Sequence, residues 1–217
     1  MSDEQQLRAK IVGVLNSRAC LDIRFVAAGI SIMGYHYGYV CDLVAQGCVD
    51  VRFGVVDPDA GAEYDDKANV LRFKRRDLGF YATPDGRAQI VHECTHAVID
   101  VVRKGASVLR ADNEAIAWIA QTVFLQNSGR RLAAASPDAP QIKDFVDSLN
   151  TVAERLIAGT GDKDAPVPSV PSEAMSFIGA MLRGADAARA GRRGVPAPTA
   201  DTMTGIPWPK PAPMTAD

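Results

Sequence analysis

The sequence predicts an α+β fold, mostly helical, with a small β-sheet ahead of a long helix centred on residues 92–96. Two observations predict it. Apolar residues recur at helical spacing near both ends of the chain, and two short β-branched runs, Val51 to Val56 and Asn69 to Phe73, lie between them. The chain has 217 residues, 47% hydrophobic and 23% charged, which is enough apolar side chain for one globular core. Residues 1–186 therefore read as a single domain.

Each element follows from local pattern. Leu7, Ile11, Val14 and Leu15 make a one-stripe helix. Leu21 to Gln46 reads as a small-residue-rich helical region ending near Gly47. Asp57-Pro58-Asp59-Ala60-Gly61 is turn chemistry between the two strand runs, and a third short strand is expected near Gly79 to Ala82. Thr83-Pro84-Asp85-Gly86 then opens a helix that runs to about Lys104, with Gly105 as its C-terminal cap. Further helices are expected over Asp112 to Gln126, Gln141 to Ile157 and Ser172 to Leu182. Residues 187–217 hold six of the thirteen prolines and read as a disordered tail, in which Pro207 to Pro211 resembles a polyproline ligand.

Charge and composition exclude several functions. Lys+Arg 24 against Asp+Glu 26 gives a net charge of -2, with no basic stripe to follow a phosphate backbone, so no nucleic-acid partner is expected. The opening Met1 to Gln6 is polar and acidic, unlike a secretory signal. Phe25 to Val44, the longest apolar stretch, is broken by Ser31, Gly34, Tyr35, His36, Gly38 and Asp42, so no membrane span is expected. Four cysteines (Cys20, Cys41, Cys48, Cys94) without such a signal suit a reducing, cytoplasmic setting.

The chemistry lies in His92-Glu93-Cys94-Thr95-His96. Positions four apart share a helix face, so both imidazoles can reach one ion, with the Glu93 carboxylate beside them as a proton acceptor for water. Two imidazoles and a carboxylate suit Zn2+, which accepts nitrogen and oxygen ligands and can keep one position open. Glu114, eighteen positions past His96, returns toward the histidines if the next helix runs antiparallel, and Ala115 and Ala117 allow close approach. Two plainer readings compete: a solvated polar face bearing His92, Glu93, His96, Asp100 and Arg103, and Glu114 as a first-turn acid complementing the helix dipole.

His92 to Asp100, followed by Asn113-Glu114-Ala115-Ile116, resembles the active-site helix pair of thermolysin-like metallopeptidases, the gluzincins among the zincins. The resemblance covers about residues 91–126. It implies a zincin-like domain in which His92, His96 and Glu114 bind zinc, Glu93 is the catalytic base, and the substrate is a peptide or protein. Three departures stand out. Cys94 replaces a large apolar residue. Trp118 stands where the family has an Asp that orients the first histidine. No histidine follows His96 to stabilise the oxyanion, for which Tyr64, Tyr81, Arg103 and Arg110 are the candidates. Two alternatives follow: a non-catalytic zinc protein with a structural or partner-binding role, and a deformylase-like amidase with Cys48 as third ligand. Outside the motif, His36 reads as a satisfied interior residue, and Asp100 as a neighbour of the metal site or a partner of Arg103 or Lys104.

Overall fold

The polypeptide alternates seven helices with short strands, and the computed structural model describes residues 1–58, 60–104, 106–133, 140–161, 165–193 and 202–203. The fold is α+β, with five of the strands preceding the long helix that carries the histidines. Helix α1 (Asp3–Leu15) begins with a capping box in which Ser2 accepts from the Gln5 N–H, and it buries the expected Leu7, Ile11, Val14 and Leu15. A single turn, α2 (Arg18–Leu21), follows.

The helix expected over Leu21 to Gln46 is corrected in its first half. Arg24–Ala27 (β1) and Ile30–Met33 (β2) form an antiparallel hairpin, and only Gly34–Gln46 (α3) is helical. Ala28 and Gly29 carry φ of 49° and 74°, the two left-handed residues of a tight hairpin turn whose twist matches the strands. Phe25 and Ala27 on one strand and Ile30 and Ile32 on the other point into the core. The small residues that suggested a helix instead let the chain turn back sharply.

The main sheet has the order β3 (Asp50–Phe53), β5 (Val70–Phe73), β4 (Ala62–Asp65), with β3 and β5 parallel and β4 antiparallel on the edge. Strands β3 and β5 lie where β-branched residues predicted strands. Strand β4, Ala-Glu-Tyr-Asp, carries little strand propensity and was not expected. Arg72 across the ladder holds it, pairing with Glu63 at 3.0 Å and Asp65 at 2.8 Å. The strand expected at Gly79 to Ala82 is instead a 3-10 turn, Phe80–Ala82. Asp77 causes this: its carboxylate accepts from the Gly79 N–H at 2.9 Å and its carbonyl from the Phe80 N–H at 3.1 Å.

Helix α4 (Pro84–Arg103) starts as expected, with Thr83 as N-cap and Pro84 in the first turn. Its C-cap is Lys104 in a left-handed conformation, while Gly105 lies outside the described residues. A two-residue strand, β6 (Val108–Leu109), leads into α5 (Arg110–Asn127), which packs along α4. Ala115 and Ala117 are fully buried on α5. Helices α6 (Pro140–Gly159) and α7 (Ser172–Arg193) pack against α5. Strand β7 (Thr202–Met203) pairs with β6, and Pro207 to Pro211 lie outside the described residues. No helix among the described residues is long and apolar enough to cross a membrane.

The turn over Phe80–Ala82 sits against the first turn of α4 so closely that a Cβ at Gly86 would meet the Phe80 carbonyl oxygen at 2.1 Å. Gly86→Ala is expected to lower stability by about 1–3 kcal/mol or more, because backbone must move. Gly13→Ala, in α1 with nothing near it, should instead raise stability by about 0.5–1 kcal/mol. Thermal unfolding of the two variants checks both signs.

Candidate metal centre

Helix α4 is buried around its whole circumference from Ala88 to Asp100, apart from one half-buried position, Gln89. His92 is 9% exposed, Glu93 7%, His96 6% and Asp100 7%. A solvated polar face is therefore overturned for His92, Glu93, His96 and Asp100, which lie inside the protein beneath α5 and β4, while Arg103 at the helix end is exposed. Buried ionisable groups need partners to offset desolvation. The position of those partners defines the site.

Helix α5 supplies Glu114. One carboxylate oxygen lies 3.5 Å from His92 Nε2 and the other 3.8 Å from His96 Nε2. These distances are longer than good hydrogen bonds. They match instead the spacing of donors around a shared ion: ligand atoms about 2.0–2.1 Å from a tetrahedral zinc sit about 3.3 Å from one another. The donor atoms of His92, His96 and Glu114 all lie within 4.8 Å of one another, forming the single such group among the described residues that can hold a metal ion. The sequence-predicted trio is thus brought together.

Asn113 was not anticipated, although it adjoins Glu114. Its Oδ1 lies 2.7 Å from His96 Nδ1 in a buried contact. An amide oxygen can only accept, so Nδ1 carries the proton and the Nε2 lone pair faces Glu114, the tautomer a ligand requires. His92 is walled by Trp118, whose ring lies edge-on at 5.2 Å, and Trp118 in turn meets Phe145 of α6 at 5.7 Å.

The protonation equilibria express this crowding. Burial pushes Glu114 up, yet His96 and His92 beside it outweigh that and hold its carboxyl at about 2. Burial disfavours charge on His92, but contact with Glu114 and the nearby Glu93 carboxylate reverse the effect and raise its pKa. For His96 burial prevails and the pKa falls. Glu93 is pushed up to about 7, chiefly by burial, with Glu114 and Glu63 adding repulsion while His92 and the Tyr64 backbone N–H favour the carboxylate. A cation among the three ligands would draw that carboxyl back toward ionisation.

The remaining candidates separate clearly. Cys48 does not join the cluster; it follows α3, where its N–H donates to the Leu43 carbonyl at 2.9 Å. The third-ligand role suggested for it has no geometric basis. His36 accepts from the Met33 N–H at 3.2 Å at the start of α3. Asp100 accepts from the Tyr64 hydroxyl at 3.2 Å, rather than pairing with Arg103 or Lys104. Tyr81 is buried, and its hydroxyl donates to the Arg75 carbonyl at 2.8 Å. Arg103 is exposed at the end of α4. Arg110 is different: one turn before Glu114, its charge acts on both Glu114 and His96, and it pairs with Asp186 of α7 at 3.4 Å. A small cavity beside His96 and Asn113 is also lined by Asp66, Asp100 and Val108.

Comparison with protein-family models, curated proteins and solved structures finds no match to this chain.

The raised pKa of Glu93 has a measurable consequence in metal-free protein. Its protonated form is favoured by the fold, so that contribution is complete below about pH 4.5 and is lost as pH rises through about 7. Glu93→Gln cannot ionise and escapes the loss. Metal-free Glu93→Gln should match the wild type near pH 4 and exceed it above pH 7, by at most about 3 kcal/mol. Chemical denaturation across that range in the presence of chelator tests the sign. A variant that loses stability as pH rises, relative to wild type, would contradict the assigned environment.

Proposed function

We propose that this chain is a zinc-dependent metallopeptidase of the gluzincin type. The observation that carries the reading is the meeting of His92, His96 and Glu114 at ligand spacing with Glu93 buried beside them. The donor set fits zinc in number and kind: two imidazole nitrogens and one carboxylate, leaving one position for water or substrate. Bound there, zinc supplies Lewis acidity, polarising a carbonyl and acidifying water.

The chain's own residues account for the rest. Asn113 presents His96 in the right tautomer. Glu93, buried beside the ligands and ionised once a cation sits among them, can take a proton from water and deliver it to a leaving nitrogen, the reversible transfer that general acid–base catalysis of amide hydrolysis demands. Its carboxylate lies by β4, the edge strand of the sheet, whose Tyr64 backbone N–H bonds to it. An extended peptide can align along such an edge. Arg110 is the best placed of the four cations and phenols weighed for stabilising the oxyanion, since it alone acts electrostatically on both His96 and Glu114.

A second reading, a metal site kept for folding or partner recognition, draws on one observation: each of His92, Glu93 and His96 is less than a tenth exposed. Glu93→Gln distinguishes the two. For a peptidase the variant keeps its zinc and loses at least about 100-fold in turnover of a peptide pool, the scale expected for removing a general base. For a structural site no pool is cleaved by either protein, and removing zinc unfolds both.

A further inference from the structure

A histidine that ligates through one ring nitrogen almost always donates its other N–H to a fixed acceptor, which sets the tautomer and holds the ring. His96 has this acceptor in Asn113. His92 does not: its Nδ1 is buried and meets no hydrogen-bond partner. The position that would supply an acid by resemblance is filled by Trp118, whose indole can only donate.

On α5, Glu114, Trp118 and Gln121 stand four and then three residues apart, so they share one face. The first two already contact His92, at its Nε2 and along its ring. Helical side chains lean toward the N-terminus, so Gln121 leans back over the turn that bears Trp118. Its carboxamide reaches the His92 ring. It stops short of a closed bond on Nδ1.

Resting on the zinc-site reading, we propose that Gln121 is the positioning residue for His92: its carboxamide oxygen accepts the Nδ1–H, leaving the Nε2 lone pair directed at the ion beside Glu114.

The test uses full-length protein with Zn2+ as the probe, titrated against a competing chelator. Gln121→Met keeps the side-chain volume but removes the acceptor, and should weaken zinc binding about 10- to 100-fold. Gln121→Glu restores an acceptor and should bind within a few-fold of wild type. Proton spectra of the zinc-loaded protein should show a downfield, hydrogen-bonded His92 Nδ1–H in wild type and Gln121→Glu, and an upfield shift of that signal in Gln121→Met. If Gln121→Met fails to fold, Gln121→Asn, which withdraws the carboxamide by one methylene, carries the same expectation. Zinc binding by the folded variant within twofold of wild type, with the His92 Nδ1–H signal unmoved, would overturn the assignment while leaving the zinc site standing. A wild-type protein that binds no zinc would overturn both.

Discussion

Burial of the middle of α4 is the constraint on which the rest of the structure depends. Two histidines and two carboxylates lie around one helix that is enclosed by α5, the edge strand β4 and the 3-10 turn before it. Isolated charges in such a place cost many kcal/mol. The chain offsets that cost by mutual arrangement: Glu114 lies between two imidazoles, Asn113 holds one ring, and Tyr64 donates to Asp100. An ordinary buried ion pair would close to hydrogen-bond distance. The 3.5 and 3.8 Å separations leave the groups surrounding a common point instead.

Packing makes that arrangement possible. Fully buried Ala115 and Ala117 keep the α5 surface low where it meets α4, and Gly86 admits the Phe80 carbonyl against the first turn of α4. Deeper in the core, Tyr37 of α3 shares a 2.8 Å hydrogen bond with Thr95, which flanks the ligand face of α4. Thr95 also donates to the Val91 carbonyl at 2.7 Å. The helix is thereby fixed in rotation as well as in position, which keeps both imidazoles aimed at α5. The four cysteines are free, three of them buried, and serve as small apolar residues.

Much of the site was legible because its signal is local. His92 and His96 reveal themselves through helical spacing, and Glu114 through the short return between two helices. What escaped the sequence depended on distant contacts. Asn113 gave no sign beyond adjacency to Glu114, since its role exists only once α5 lies on α4. The burial of the polar face of α4 was equally hidden, because a helical wheel shows where residues point and not what covers them. Among the elements, β4 was missed because Arg72 from another strand stabilises it, and the β1–β2 hairpin because the helix formers Ala27 and Ala28 masked the single turn signal of Gly29. Asp77 converted an expected strand at Gly79 to Ala82 into a 3-10 turn through two local hydrogen bonds.

The central claim is that His92, His96 and Glu114 hold one metal ion. Elemental analysis of the purified full-length protein, with Glu114→Ala alongside, tests it most directly. The account predicts one zinc per chain in the wild type and little or none in the variant. No metal in the wild type after incubation with zinc, or the same content in Glu114→Ala, would contradict it.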